Sequence, residues 1–183
     1  MDSPDKLAAR VKSPHQQRVE AFMRLAKQEV PSSPAKPDES TRVLRAKLIF
    51  EEAMETINAL GVQVCVLGRN SGPVIESGGE FYTAVNFPEE GRGDVSPTRM
   101  AVVGDCVLEA VADGCADLRV VTTGTLSACG IADEVLQQEV DYNNLTKFGE
   151  GHRLREDGKL IKPPGHRPPD IEGVLRRQEG GDR

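Results

Sequence analysis

The sequence predicts a mainly α-helical protein, four-helix-bundle-like, with a β-hairpin inserted between the second and third helices and an extended Pro/Gly-rich C-terminal tail. Three observations carry this expectation. Apolar residues recur at helical spacing in four segments, a stretch of β-branched and aromatic residues interrupts them at 62–87, and prolines crowd at 31–37 and 162–169. A period of 3.6 marks a helix with one apolar stripe, alternation marks a strand, and proline clusters end both.

In chain order, residues 1–14 read as a flexible polar leader, and 15–172 as a single domain. Val19, Phe22, Met23 and Ala26 give a first helix over 15–30, stopped by the three prolines of PSSPAKP. Asp38, with Thr41 as the competing cap, starts a long second helix that Gly61 ends. VQVCVLG and EFYTAVNF around a Gly/Ser/Asn-rich centre make the hairpin of 62–87. A loop at 89–98 leads to a third helix from about Thr98 to Cys129, and Gly130 is its stop. Asp133 is placed as the cap of a fourth helix reaching Lys147. From Gly149 the chain reads as extended or loop, and 173–183 as a flexible tail.

Composition narrows the function. A net charge of −6 and a pI near 5.2 supply no concentrated basic surface, which argues against a nucleic-acid partner. No apolar stretch is long enough to span a bilayer and no signal peptide stands out, so no membrane association is expected and the cytoplasm is the expected compartment. Cys65, Cys106, Cys115 and Cys129 lie in apolar runs without C-x-x-C spacing and read as reduced, buried hydrophobes. His15, His152 and His166 fall in polar or Gly/Pro-rich segments with no nucleophile context. The glycine-containing runs GRNSGP and EEGRGD lack the Lys-Ser/Thr partner of a phosphate loop.

What the chain does contain is two acidic clusters inside apolar helical patterns. FEEAME at 50–55 sets Glu51, Glu52 and Glu55 along one stripe, and DGCAD at 113–117 does the same for Asp113 and Asp117. Like charges four residues apart destabilise a helix by about 0.2–0.5 kcal/mol per pair, so something should offset them. Mg²⁺ or Mn²⁺ prefers oxygen ligands and carries the opposite charge. Helices that project carboxylates inward are a recognised way to build such a site. Glu109 extends the face of Asp113 and Asp117 one turn earlier and reads as a solvated or supporting acid.

KLIFEEAMETINALG, VADGCADLRVVTTGTLSACGI and EVDYNNLTKF, in that order, resemble the all-α nucleoside triphosphate pyrophosphohydrolases of the MazG and phosphoribosyl-ATP pyrophosphohydrolase group. The similarity spans roughly 15–172 and is closest in style to phage-encoded members, which implies a host cytoplasm if the chain is phage-encoded. It implies cleavage of an NTP or dNTP to the monophosphate and pyrophosphate with two or three Mg²⁺ or Mn²⁺ ions per site. The family signature is EExxE followed by ExxD. Glu51, Glu52 and Glu55 match the first half; in the second, Gly114 stands three residues before Asp117, and the acid is Asp113, four before.

The resemblance implies Glu52, Glu55, Asp113 and Asp117 as metal ligands, with Glu51 either a ligand or the catalytic base that orients and deprotonates the attacking water. Asn144 and Lys147 match the family's NxxK segment and are substrate-binding candidates; Arg155, Lys162 and Lys47 are further cations for phosphate. A MazZ-like preference for dGTP and GTP is one specific expectation, and housecleaning of non-standard nucleotides, dUTP or dCTP is the alternative within enzymology. A non-catalytic nucleotide- or metal-binding regulatory module is the alternative outside it. Long amphipathic helices in a small chain, together with the habit of the family, imply a homodimer or homotetramer.

Overall fold

The computed structural model describes residues 10–66, 75–77, 80–82, 98–148, 153–154, 160–163 and 165–179. Among these, five helices dominate: α1 (Pro14–Leu25), α2 (Glu39–Ala59), α3 (Leu108–Ala128), α4 (Asp133–Thr146) and α5 (Ile171–Glu179). The strands are β1 (Val62–Val66), β2 (Ile75–Ser77), β3 (Glu80–Tyr82), β4 (Thr98–Val102), β5 (Arg153–Leu154) and β6 (Leu160–Ile161). The protein is therefore mainly helical with a small β insertion between α2 and α3. It divides into two compact units, one of residues up to Ile49 and from Arg119 onward, the other Phe50–Leu118. No helix among the described residues is long and apolar enough to cross a membrane.

In the first unit, Ser13 caps α1 by accepting the Gln16 N–H, and Pro14 occupies the first turn, where its missing N–H costs nothing. Val19 and Met23 of α1 meet Ala128 of α3 in the core, with Val30 and Val120 packed against them. Asp38 caps α2: its Oδ1 accepts the Thr41 N–H at 2.6 Å and the Ser40 hydroxyl at 2.9 Å. Arg45 of α2 is buried and donates to Gln28 Oε1 at 2.5 Å, passing over Gly124, where a Cβ would stand 2.9 Å from its Nη1. Burial pulls that guanidinium below its ordinary value and pushes the nearby Cys129 thiol up, each partly countered by the other.

Gly130 ends α3 as the sequence expects. Its φ of 67° is left-handed, its N–H bonds Ser127 O, and the Ile131 N–H bonds Leu126 O, a Schellman pair that satisfies the last carbonyls. Two buried glutamines then hold the α3–α4 turn. Gln16 donates to Ile131 O and accepts from Asp133 N, while Gln178 accepts from Ala132 N and donates to Ala132 O. The polar backbone of the turn is thus paired inside the unit.

Three expectations change here. Asp133 does not cap α4; Ala132 holds that position without a side-chain bond, and the Asp133 carboxylate instead receives Ser13 N at 2.7 Å and Ser13 Oγ at 2.5 Å. Residues 171–179, read as the end of the domain and a tail, form α5, because Asp170 caps it and Val174 and Gln178, one turn apart, are fully buried. Cys106 and Cys115 are free but exposed rather than buried, and Cys129 is half-buried.

In the second unit, Gly61 ends α2 at a φ of 71°, and a Cβ there would run into the Gly104 carbonyl. Gly61 O accepts from Val103 N, and Ala59 O from Val107 N, so the end of α2 anchors the start of α3. The hairpin differs from its predicted form. β1 pairs antiparallel with β4, Val62 opposite Val102 and Val64 opposite Met100, and β2 pairs with β3 between them. Thr98–Val102 is thus a strand, not the start of the third helix, which begins ten residues later at Leu108. The rest of EFYTAVNF and the loop at 89–97 lie outside the described residues.

Candidate metal-binding site

Glu51, Glu52 and Glu55 sit on the second half of α2, and Asp113 and Asp117 on the first half of α3, all within the second unit. The two helices approach at Gly114 and Thr56. A Cβ on Gly114 would lie 2.6 Å from Thr56 Oγ1 and 3.1 Å from Thr56 Cα, so only glycine fits between these backbones. Thr56 is buried, and its hydroxyl turns back to Glu52 O at 2.7 Å, which keeps it satisfied within α2.

That contact sets the electrostatics. Glu52 is half-buried, whereas Glu51, Glu55, Asp113 and Asp117 are exposed. Burial raises the Glu52 carboxyl above its ordinary value, and the negative charges of Asp117, Glu55, Glu51 and Asp113 raise it further, in that order. The other four predicted acids thus all act on Glu52. Glu109 is exposed and is not among the groups that act on Glu52. Among the described residues, no group of three or more His, Cys, Asp or Glu side chains is arranged to hold a metal ion. The donors are all carboxylate oxygens, the chemistry that suits a hard divalent cation.

The remaining candidates lie in the first unit. Asn144 and Lys147 are brought together at the end of α4, Lys147 Nζ donating to Asn144 Oδ1 at 2.5 Å. Lys47 is exposed on α2, and Lys162 is exposed just after β6. Arg155 lies outside the described residues. Sequence reasoning missed Thr56 and treated Gly114 only as a departure from a motif. The available signal was the glycine itself, since an interior helix glycine costs about 1 kcal/mol against alanine and so marks a close approach.

The chain belongs to the class of mainly helical proteins, with acidic residues on two long helices, α2 and α3. The family model for phosphoribosyl-ATP pyrophosphohydrolase matches residues 19–144, more than half of the chain and inclusive of all five acids, and the protein belongs to that family. The family describes nucleotide pyrophosphohydrolases. Comparison with curated proteins gives no significant match.

Proposed function

We propose that this protein is a Mg²⁺- or Mn²⁺-dependent pyrophosphohydrolase that converts a nucleoside triphosphate, with dGTP and GTP foremost, to the monophosphate and pyrophosphate. The observation that carries the reading is the family match over residues 19–144, which spans Glu51, Glu52 and Glu55 on α2 and Asp113 and Asp117 on α3. Carboxylate oxygens are the donors a hard divalent cation prefers.

Glu52, Glu55, Asp113 and Asp117 would hold the ions, two or three per site. When bound, such ions neutralise phosphate oxygens and stabilise the leaving pyrophosphate. Glu51, adjacent to Glu52 on α2, holds or deprotonates the attacking water, whose oxygen forms the new P–O bond as the anhydride P–O bond breaks; the electron pair leaves with the departing phosphate oxygen. Attack at the α- or the β-phosphorus gives the same products. Lys147 and Asn144 supply a charged and a neutral donor for phosphate or sugar oxygens, and Lys47, Lys162 and Arg155 are further cations for the same charge.

The protein acts in the cytoplasm as a homodimer or homotetramer, without nucleic acid or membrane as partner. Exposed Phe22, Leu25 and Val43, at 63%, 84% and 63% of their surface, support a covering subunit on the first unit. The test is chromatography of the purified protein incubated with Mn²⁺ or Mg²⁺ and each of the eight common NTPs and dNTPs. Monophosphate with pyrophosphate, fastest from dGTP and GTP, is the expected result. Turnover of another base keeps the chemistry and overturns the preference, and no turnover of any overturns the enzyme.

A further inference from the structure

A cavity of about 550 Å³ opens within the first unit, between the starts of α1 and α4 and one side of α3. Its volume falls in the range of small-ligand sites, roughly 300–1,000 Å³. Ile49 and Leu126 give it apolar wall, and His15, Arg119, Glu134 and Gln137 give it polar wall.

The hydrogen-bonding state of these groups defines a ligand. His15 Nε2 is buried and has no hydrogen-bond partner. A buried polar atom left unpaired carries a desolvation penalty that a ligand would remove. Asp133 also lines the cavity, but both of its oxygens are held by Ser13. Glu134 receives Gln138 Nε2 on Oε1, which leaves Oε2 as an acceptor. Gln137 spends its amide nitrogen on Asp141, which leaves its carbonyl oxygen as a second acceptor one turn along α4. Besides its Ser and Thr side chains, the wall therefore includes two acceptors about one turn apart on α4, one guanidinium and one imidazole nitrogen.

We propose that this cavity binds a guanine nucleoside, with Glu134 and Gln137 accepting from the neighbouring N1–H and N2 amino donors of the base and Arg119 donating to O6 and N7. Bidentate Arg to O6 and N7 is the commonest specific contact to guanine. The other bases complement the wall less well. Adenine and cytosine place a ring acceptor beside their amino group, facing the carboxylate, and uracil flanks its single N–H with two carbonyls. Ile49 and Leu126 supply surface for the faces of the ring, and His15 Nε2 is left for a ribose hydroxyl. The choice of a nucleoside as the ligand class rests on the hydrolase reading above; the complementarity to guanine comes from the cavity itself.

Titration calorimetry in EDTA, with guanosine, adenosine, cytidine and uridine, separates the two ideas, because no metal is present to recruit a nucleotide through its phosphates. Saturable guanosine binding about tenfold or more tighter than uridine is expected, and Glu134→Gln or Gln137→Leu each weakens it by about tenfold or more, the loss of one good hydrogen bond. Both residues lie in the first turns of α4 on partly open surface, and an unchanged melting curve shows that the variants are folded. Glu52→Gln with Glu55→Gln retains guanosine binding. The proposal falls if the wild-type protein binds no guanosine in EDTA, if neither α4 variant weakens it, or if uridine binds equally well. Guanosine binding without turnover of any triphosphate overturns the hydrolase reading and leaves the cavity assignment standing.

Discussion

Gly114 of α3 packs against Thr56 of α2 so closely that a Cβ at position 114 would meet both the hydroxyl and the α-carbon of Thr56. The family signature places an acid three residues before its aspartate, which is this position. Here the helices pack closely at it, and the acid Asp113 stands at the neighbouring position. Gly114→Ala should therefore destabilise the protein although alanine favours helix by about 1 kcal/mol. Overpacking typically costs about 1–3 kcal/mol, so a net loss of up to about 2 kcal/mol is expected. Urea unfolding measures it, and Thr56→Ala in the same chain should recover part of the loss by removing the hydroxyl. Gly114→Glu, which writes the family signature back in, should lose more stability than alanine and gain no activity.

Glu52 links stability to function in opposite directions. Its carboxyl is raised by burial and by four neighbouring acids, so the folded state binds a proton more tightly than the unfolded chain does. The stability this gives is complete below the unfolded value and is lost as pH rises through the higher folded value. In EDTA, Glu52→Gln should raise the melting temperature near neutral pH, and the advantage should shrink toward pH 4, where Glu52 in the wild type is itself protonated. Mn²⁺ should reverse the order, raising the wild-type melting temperature by mass action while leaving the variant less affected. Equal response of the two proteins to Mn²⁺ would remove Glu52 from the ligand set.

Asp38 has the opposite sign. The Thr41 N–H first, then the Ser40 hydroxyl, hold its carboxyl below the ordinary value. A depressed acid contributes stability above its unfolded value and loses it as pH falls through the folded one. Asp38→Ala should lower the melting temperature at pH 7, and the difference from wild type should close in acid. Asp38→Asn, which keeps a cap acceptor, should lose less.

Much of this was legible in the sequence where the cause is local. Asp38, Gly61 and Gly130 mark helix ends through capping and backbone freedom, which need no distant partner. The five acids were legible because helical spacing alone aligns them on each helix. The strand at Thr98–Val102 was not, since its partner Val62–Val66 is more than thirty residues upstream and the apolar content of TRMAVV suits either structure. Helix α5 was not legible because nine residues containing Gly173 are marginal alone; burial of Val174 and Gln178 makes the helix. Asp133 looked like a cap and is drawn away by Ser13, a residue 120 positions earlier.

Lys147 provides a test of substrate binding that is separate from the acids. It donates to Asn144, so both side chains are already oriented at one end of α4. A hydrogen bond from a charged donor contributes about 1.5–3 kcal/mol, which predicts a roughly 10- to 100-fold fall in kcat/KM for Lys147→Met. Asn144→Ala should cost less directly but should also release Lys147, so the double variant should lose less than the sum of the two. Strict additivity in steady-state kinetics would show that the pair does not act as a unit.

The turn between α3 and α4 is held from two sides, by Gln16 of α1 and Gln178 of α5, and this makes the C-terminal helix part of the folded unit. Gln178 satisfies both backbone groups of Ala132, which is buried, and Arg10 in turn donates to Gln178 O at 2.6 Å. Gln178→Leu preserves the bulk of the side chain but strips Ala132 of both partners. Each buried group left unpaired costs about 1–3 kcal/mol, so a loss of roughly 2–6 kcal/mol is expected, read as a lower urea midpoint with an unchanged slope. Gln16→Leu strips Ile131 O and Asp133 N, the groups on either side of Ala132, and also the donor to the buried Ser127 hydroxyl, and should cost at least as much. Because both glutamines order the same three-residue turn, releasing one side should let the turn relax toward water and reduce what the other contributes. The double variant should therefore be more stable than additivity predicts, by about 0.5–3 kcal/mol. Additive losses would mean that each glutamine pins its own backbone groups independently.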